Sequence, residues 1–94
     1  MFSVVYHPEV KSRDIPKLNG DVRLRIKKAI ETRLMVAPQE YGEPLRKTLK
    51  GYWKLRVGDY RVVFKTDKKE ILILGMCHRK EVYPLMEKRH DYRG

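Results

Sequence analysis

Tyr52-Trp53-Lys54-Leu55-Arg56-Val57-Gly58-Asp59-Tyr60-Arg61-Val62-Val63-Phe64-Lys65 is the stretch that decides the fold. It reads as two alternating strands joined at Gly58-Asp59, a dipeptide suited to a two-residue hairpin turn. Side chains alternate between the faces of a strand, so the pattern sorts itself. One face carries Trp53, Leu55, Val57, Tyr60, Val62 and Phe64; the other carries Tyr52, Lys54, Arg56, Arg61, Val63 and Lys65. A two-residue turn pairs Val57 with Tyr60, which sets Arg56 directly opposite Arg61. Like charges in that position destabilise a sheet unless something anionic relieves them, and a phosphate group fits. A cationic face can also be a solvated one that blocks edge association. Here the cations concentrate opposite one another while the acids sit elsewhere, which favours a functional surface.

Working outward, 94 residues with 41% hydrophobic content supply one small domain, residues 1–94, with one core. No apolar run is long enough to span a bilayer, and the N-terminus carries no signal-peptide pattern, so a cytoplasmic protein without a membrane partner is expected. The single cysteine, Cys77, excludes an intrachain disulfide and a multi-cysteine metal site. It follows the buried-strand run Ile71-Leu72-Ile73-Leu74 and reads as a small apolar side chain. Lys and Arg number 22 against 12 Asp and Glu, a formal charge of +10 that suits a polyanionic partner, nucleic acid or acidic protein.

Phe2 to Tyr6 reads as a first strand, with Pro8 in the first turn of a helix ending near Pro16. Asp21 is the expected N-cap of a second helix running to about Val36. In it Val22, Ile26, Ala29, Ile30 and Leu34, with the Arg33 stem, form an apolar stripe, and Arg23, Arg25, Lys27 and Lys28 fill other positions. Ala37 to Lys50 reads as a connecting loop broken by Gly42 and Pro44. After the hairpin come a turn at Asp67-Lys68 and a strand from about Glu70 to Cys77, where Gly75 signals a bulge or a close backbone approach. A short helix follows from Lys80 to about His90, and the closing Asp91-Tyr92-Arg93-Gly94 is expected to fray. The order β-α-α-β-β-β-α gives an α+β domain with helices on one face of a small antiparallel sheet.

Three segments together resemble the RelE/ParE superfamily of toxins from bacterial and archaeal toxin–antitoxin pairs. They are Tyr6-His7-Pro8, the run from Leu45 through Leu49-Lys50-Gly51-Tyr52-Trp53-Lys54-Leu55-Arg56-Val57-Gly58-Asp59-Tyr60-Arg61-Val62-Val63-Phe64, and His78-Arg79-Lys80-Glu81-Val82-Tyr83. The resemblance covers nearly the whole chain and favours the RelE-like branch. It implies a metal-independent, cofactor-free endoribonuclease that cuts messenger RNA on the ribosome, with a RelB-like antitoxin as partner. Lys54 and Arg56 match two cationic positions, although lysine is common at the second. Arg61 matches the arginine at the scissile phosphate, Arg79 a later basic residue with His78 as alternate, and Tyr83 the aromatic near the reacting nucleotide. Tyr52, Lys65, His78 and Lys80 are expected to contact RNA around that catalytic set.

The chemistry so implied is attack by a ribose 2′-hydroxyl on the adjacent phosphate. It leaves a 2′,3′-cyclic phosphate and a 5′-hydroxyl, and it needs a base, charge stabilisation and an acid. Arg56 and Arg61 suit phosphate clamps through their bidentate forks. Lys54, crowded by cations, is the candidate base, since arginine stays protonated. Arg79 or His78 would serve the leaving oxygen, imidazole being the easier acid near neutral pH. If Asp67-Lys68 is the turn, His78 shares the cationic face and Arg79 points away. Trp53 and Tyr60, on the apolar face, read as core. No metal-ligand spacing appears in the sequence. Two other functions suit the same scaffold. One is a ParE-like poison of DNA gyrase, and the other a non-catalytic nucleic-acid-binding module.

Overall fold

In a computed structural model, which describes residues 1–46 and 49–89, five strands form one sheet in the order β1-β5-β4-β3-β2. The strands are β1 (Ser3–Tyr6), β2 (Gly42–Pro44), β3 (Trp53–Val57), β4 (Tyr60–Asp67) and β5 (Glu70–His78). Helix α1 covers residues 8–17 and opens into a π-turn over Val10–Asp14 just before Pro16. Helix α2 (Gly20–Ala29) continues as a π-segment over Ile30–Leu34. A short α3 (Pro38–Tyr41) precedes β2, and a 3₁₀ turn (Arg79–Glu81) leads into α4 (Val82–Arg89).

The hairpin forms in the expected register, with Val57 opposite Tyr60 and Arg56 opposite Arg61. Gly58 holds φ +61, and positive φ at the first central residue is the type II′ pattern that glycine adopts without strain. The apolar stripe of α2 is also as expected: Val22, Ile26, Ala29, Ile30 and Leu34 are buried against Leu55, Val57, Val62 and Phe64. Arg33, whose stem was expected to join that stripe, is exposed. The cap differs from expectation as well. Asn19 begins α2, its side-chain oxygen accepting a hydrogen bond from the Val22 amide at 2.9 Å, and Asp21 lies inside the first turn.

The domain is α+β, but the sheet is mixed, because β1 runs parallel to β5. The loop expected over Ala37–Lys50 contains an edge strand. Gly42, Glu43 and Pro44 pair with Leu55, Lys54 and Trp53. A strand of Gly-Glu-Pro carries no apolar alternation to read, and proline is tolerated there because the edge demands no ladder donor. Gly42 is needed for close approach, since a Cβ would lie 2.7 Å from the Phe64 ring and 2.9 Å from the Pro38 carbonyl oxygen.

The helices lie on both faces rather than one. α1 and α2 cover the face of Leu55 and Val62, while α4 packs Val82 and Met86 on Val63, Leu74 and Cys77 of the opposite face. Gly75 makes room for α4, because a Cβ there would collide with a Leu85 methyl carbon. The ladder also shifts register between Val63 and Phe64, opposite Gly75 and Ile73, so both readings of Gly75 hold. The expected end of the last helix at His90, and the fraying of Asp91–Gly94, lie outside the described residues.

The second hairpin turns at Lys68-Lys69, with Asp67 opposite Glu70. Lys68 sits at φ +57, where a side chain is strained. Lys68→Gly is expected to stabilise the domain by about 1 kcal/mol, read as a higher urea midpoint at unchanged slope.

Candidate functional site

The cationic face is a set of cross-strand rows. Its first row is Arg56 opposite Arg61, with Cys77 beyond on β5. Its second is Glu43, Lys54 and Val63, running from the edge strand inward. Tyr52 and Lys65 sit together at the far end, the Lys65 ammonium 5.6 Å from the Tyr52 ring centroid. The hairpin thus assembles Tyr52, Lys54, Arg56, Arg61 and Lys65 on one surface, and α4 roofs the apolar part of that surface beside them.

Arg61 does not stand free above the sheet. Its terminal nitrogen donates to the carbonyl oxygens of Gly58 at 2.9 Å and Tyr60 at 2.8 Å, which ties the guanidinium to the turn. Arg56 is exposed, and neither Arg56 nor Lys54 enters an ion pair of the described residues. The opposed arginines therefore face solvent with one guanidinium anchored and the other unpaired. That arrangement is suited to a phosphate arriving between them.

The later basic residues are placed differently from one another. His78 pairs with Tyr60, whose ring packs on the opposite, helix-covered face, and the two rings meet edge-on at 5.7 Å. The turn sits one residue later than expected, at Lys68-Lys69, which moves the pairing by two residues and keeps the parity; it is the register shift between Val63 and Phe64 that overturns the expected face. His78 does not share the cationic face; its Nδ1 accepts from the Lys80 amide at 3.2 Å and caps the 3₁₀ turn. Arg79 is exposed beside the first hairpin, its amide donating to the Asp59 carbonyl at 2.8 Å. Lys80 is exposed in the same 3₁₀ turn.

Tyr83, on α4, is half-buried and packs with Tyr52 against the cluster of Leu45, Val63 and Met86. The Arg46 guanidinium lies 3.6 Å from its ring centroid. Arg46 and Glu43 are the two residues of this surface that sequence reasoning missed. Both lie in the segment read as a loop, and only the strand register reveals that Glu43 faces Lys54. Lys54 thus has a carboxylate beside it as well as the expected cations, with Arg56 two residues along the same strand and Arg61 and Lys65 diagonally across on β4. Its cross-strand neighbours are a carboxylate on one side and the apolar Val63 on the other.

Two further titratable groups are explained by packing. Burial pushes the Cys77 thiol up to about 12, with Asp14 adding to the effect, so it is an apolar filler rather than a nucleophile. Burial also lowers the pKa of His7, whose Nδ1 accepts from the Glu9 amide at 3.0 Å. Among the described residues no three His, Cys, Asp or Glu side chains gather to hold a metal ion, and no helix is long and apolar enough to cross a membrane.

This arrangement of a five-stranded sheet and its helices matches the folds of RelE-like toxins. The chain aligns with the toxin–antitoxin complex RelBE2 from Mycobacterium tuberculosis at 28% identity and a TM-score of 0.76, over 83% of this chain and 98% of that one. It aligns with the RelB–RelE antitoxin–toxin complex from Methanococcus jannaschii at 23% identity and a TM-score of 0.67, over 85% and 95% of the two chains. For a free-state mutant of the Escherichia coli toxin RelE the values are 22% and 0.66, over 93% and 95%. No curated protein matches the sequence. Residues 4–83 match the profile of the ParE toxin of type II toxin–antitoxin systems, parDE. The chain belongs to that family, within the RelE/ParE superfamily, and is the toxin of a type II toxin–antitoxin system.

Proposed function

We propose that this toxin is an endoribonuclease that cuts ribosome-bound messenger RNA, acting in the cytoplasm and held in check by a cognate antitoxin. The observation that carries the reading is the pair of adjacent rows, Arg56 with Arg61 and Glu43 with Lys54, on one exposed surface. The antitoxin follows from the likeness to RelBE2 and to the archaeal RelB–RelE complex.

In this reading Arg56 and Arg61 grip the non-bridging oxygens of the scissile phosphate and neutralise charge as the 2′-oxygen attacks. Glu43 takes the 2′-hydroxyl proton, because a carboxylate is an acceptor at neutral pH and an arginine is not. Lys54, an ammonium with three donors, supplies the proton for the departing 5′-oxygen as the P–O5′ bond breaks. Directly opposed residues of an antiparallel pair have Cβ atoms about 5 Å apart, so the two can flank a phosphate and exchange the proton back afterwards. Tyr83 and Arg46 at the margin form a stacking surface for a neighbouring base. Tyr52, Lys65, Arg79 and Lys80 contribute contacts to the backbone.

The test is 5′-end mapping of a message on stalled ribosomes after adding the purified toxin, with Arg61→Ala alongside. Cuts within the decoding-site codon, reduced at least a hundredfold in the mutant, are the expected result. The family match itself supports a second reading, a gyrase poison acting by protein binding. Intact message together with gyrase-dependent DNA breaks from the same preparation would select it.

A further inference from the structure

A second basic site lies round the edge of the sheet from the first. Because β2 pairs β3 only from Trp53 to Leu55, the β3 edge is open at Arg56 and Val57. There the outer flank of α2 meets the hairpin turn and leaves a pocket of about 280 Å³ lined by Arg25, Lys28, Thr32, Arg33, Arg56 and Gly58. Four of the lining residues are cations and none is a carboxylate. Arg25, Lys28, Thr32 and Arg33 recur at helical spacing, so this is a built face of α2 rather than scattered charge. The Arg25 guanidinium lies against the turn, 2.7 Å from where a Gly58 Cβ would stand, so glycine there also admits the arginine. Arg56 belongs to both surfaces, opposite Arg61 on the cationic face and in the wall of this pocket.

We propose that this pocket is a second phosphate site, which holds the RNA backbone next to the nucleotide under attack. The strand would run from Arg61 and Arg56 over the open edge of β3 onto Arg25, Lys28 and Arg33. The proposal rests on the RNA-cleaving reading of the cationic face. Its chemistry separates it from a protein-docking groove. The apolar residues that line it, Ala29 and Val57, are 6% and 7% exposed and offer a peptide nothing to bury. The groove between β1 and α2, lined by Val4, Ile15, Leu18, Ile26 and Ile30, has the apolar wall that an amphipathic partner would need. A phosphate backbone needs only charge and forked donors, and the basic pocket supplies both.

The experiment is the salt dependence of binding to a fluorescein-labelled, 2′-O-methylated RNA single strand, which lacks the attacking hydroxyl and stays uncut. Removing three phosphate contacts in Arg25→Ser/Lys28→Ser/Arg33→Ser should reduce the slope of log affinity on log salt by about 2. Affinity at low salt should fall at least tenfold, and Arg25→Lys/Arg33→Lys should keep the wild-type slope. If the triple variant fails to fold by circular dichroism, Lys28→Ser alone carries the test, with a slope change of about 0.7. An unchanged slope overturns the proposal. So does an unchanged slope joined to weaker binding of an acidic peptide, which would assign the pocket to a protein partner. End mapping with the wild-type chain keeps the two readings apart. A reduced slope with no cleavage leaves the pocket standing and removes the nuclease, and cleavage with an unchanged slope does the reverse.

Discussion

Asp14→Ala is expected to cost about 3–5 kcal/mol of folding stability, the range for leaving one half of a buried ion pair uncompensated. Asp14 is 6% exposed, and its carboxylate oxygens accept two parallel hydrogen bonds from the Arg89 guanidinium, at 2.7 and 2.9 Å. One of those oxygens also accepts from the Met76 amide at 2.9 Å. β1 pairs β5 only as far as Ile73, so Met76 has no strand partner on that side, and Asp14 closes the gap. Arg89 completes its own set with the Leu74 carbonyl at 2.9 Å and Glu9 at 3.4 Å. Desolvation opposes charge on Arg89, yet the hydrogen bonds and charge of Asp14 outweigh it and raise its pKa. Arginine is so strong a base that removing Asp14 leaves it charged, buried and short of its main partner. Small domains hold about 5–15 kcal/mol in all, so Asp14→Ala should bring this one close to unfolding at room temperature. A urea titration reads the loss. Asp14→Leu/Arg89→Met, which removes both charges, should recover most of it. A double variant as unstable as the single would show that the Met76 amide, not the ion pair, sets the cost.

That clamp has a functional side. It fastens the last turn of α4 to α1 across the sheet edge, and Tyr83 rides on α4. Loosening it should also misplace the tyrosine beside the cationic face, so an Asp14→Ala sample kept folded in the cold should still lose cleavage.

The clamp was hidden in the sequence, because Asp14 and Arg89 are far apart in the chain and no local pattern marks an acid for burial. The hairpin was legible because a two-residue turn and strict alternation fix register completely, and with it the Arg56–Arg61 opposition. The same reasoning failed one hairpin later. A lysine at positive φ gives no turn signal, and a bulge resets parity at Gly75. The first displaced the pairing by two residues without changing faces, and the second alone carried His78 to the other face. β2 escaped notice for a different reason: an edge strand made of Gly42, Glu43 and Pro44 earns its place through close approach to Phe64, not through propensity. The burial of Val63 under α4 explains why that one valine interrupts an otherwise polar row.

Losing sight of β2 also meant losing the carboxylate, and that leads to the second large effect. Glu43→Gln should lower the single-turnover cleavage rate on programmed ribosomes by about 10²–10⁴-fold, the usual contribution of a general base. Gln keeps the shape and hydrogen-bonding reach of the side chain but cannot take the proton. Glu43 is exposed on an edge strand, so stability should stay within about 0.5 kcal/mol of wild type and RNA affinity should be unchanged. Lys54→Met should slow the reaction comparably, but for the opposite proton. The two are separable by the leaving group. Replacing the bridging 5′-oxygen of the scissile phosphate with sulfur gives a thiol of pKa about 8.5 as product, which departs without help from an acid. Lys54→Met should cut that substrate at nearly the wild-type rate, while Glu43→Gln should remain slow, because the 2′-hydroxyl must still lose its proton. Rescue of Glu43→Gln instead would exchange the two roles. Full activity of Glu43→Gln on the natural linkage would return the base to Lys54 and reduce the carboxylate to a neighbour.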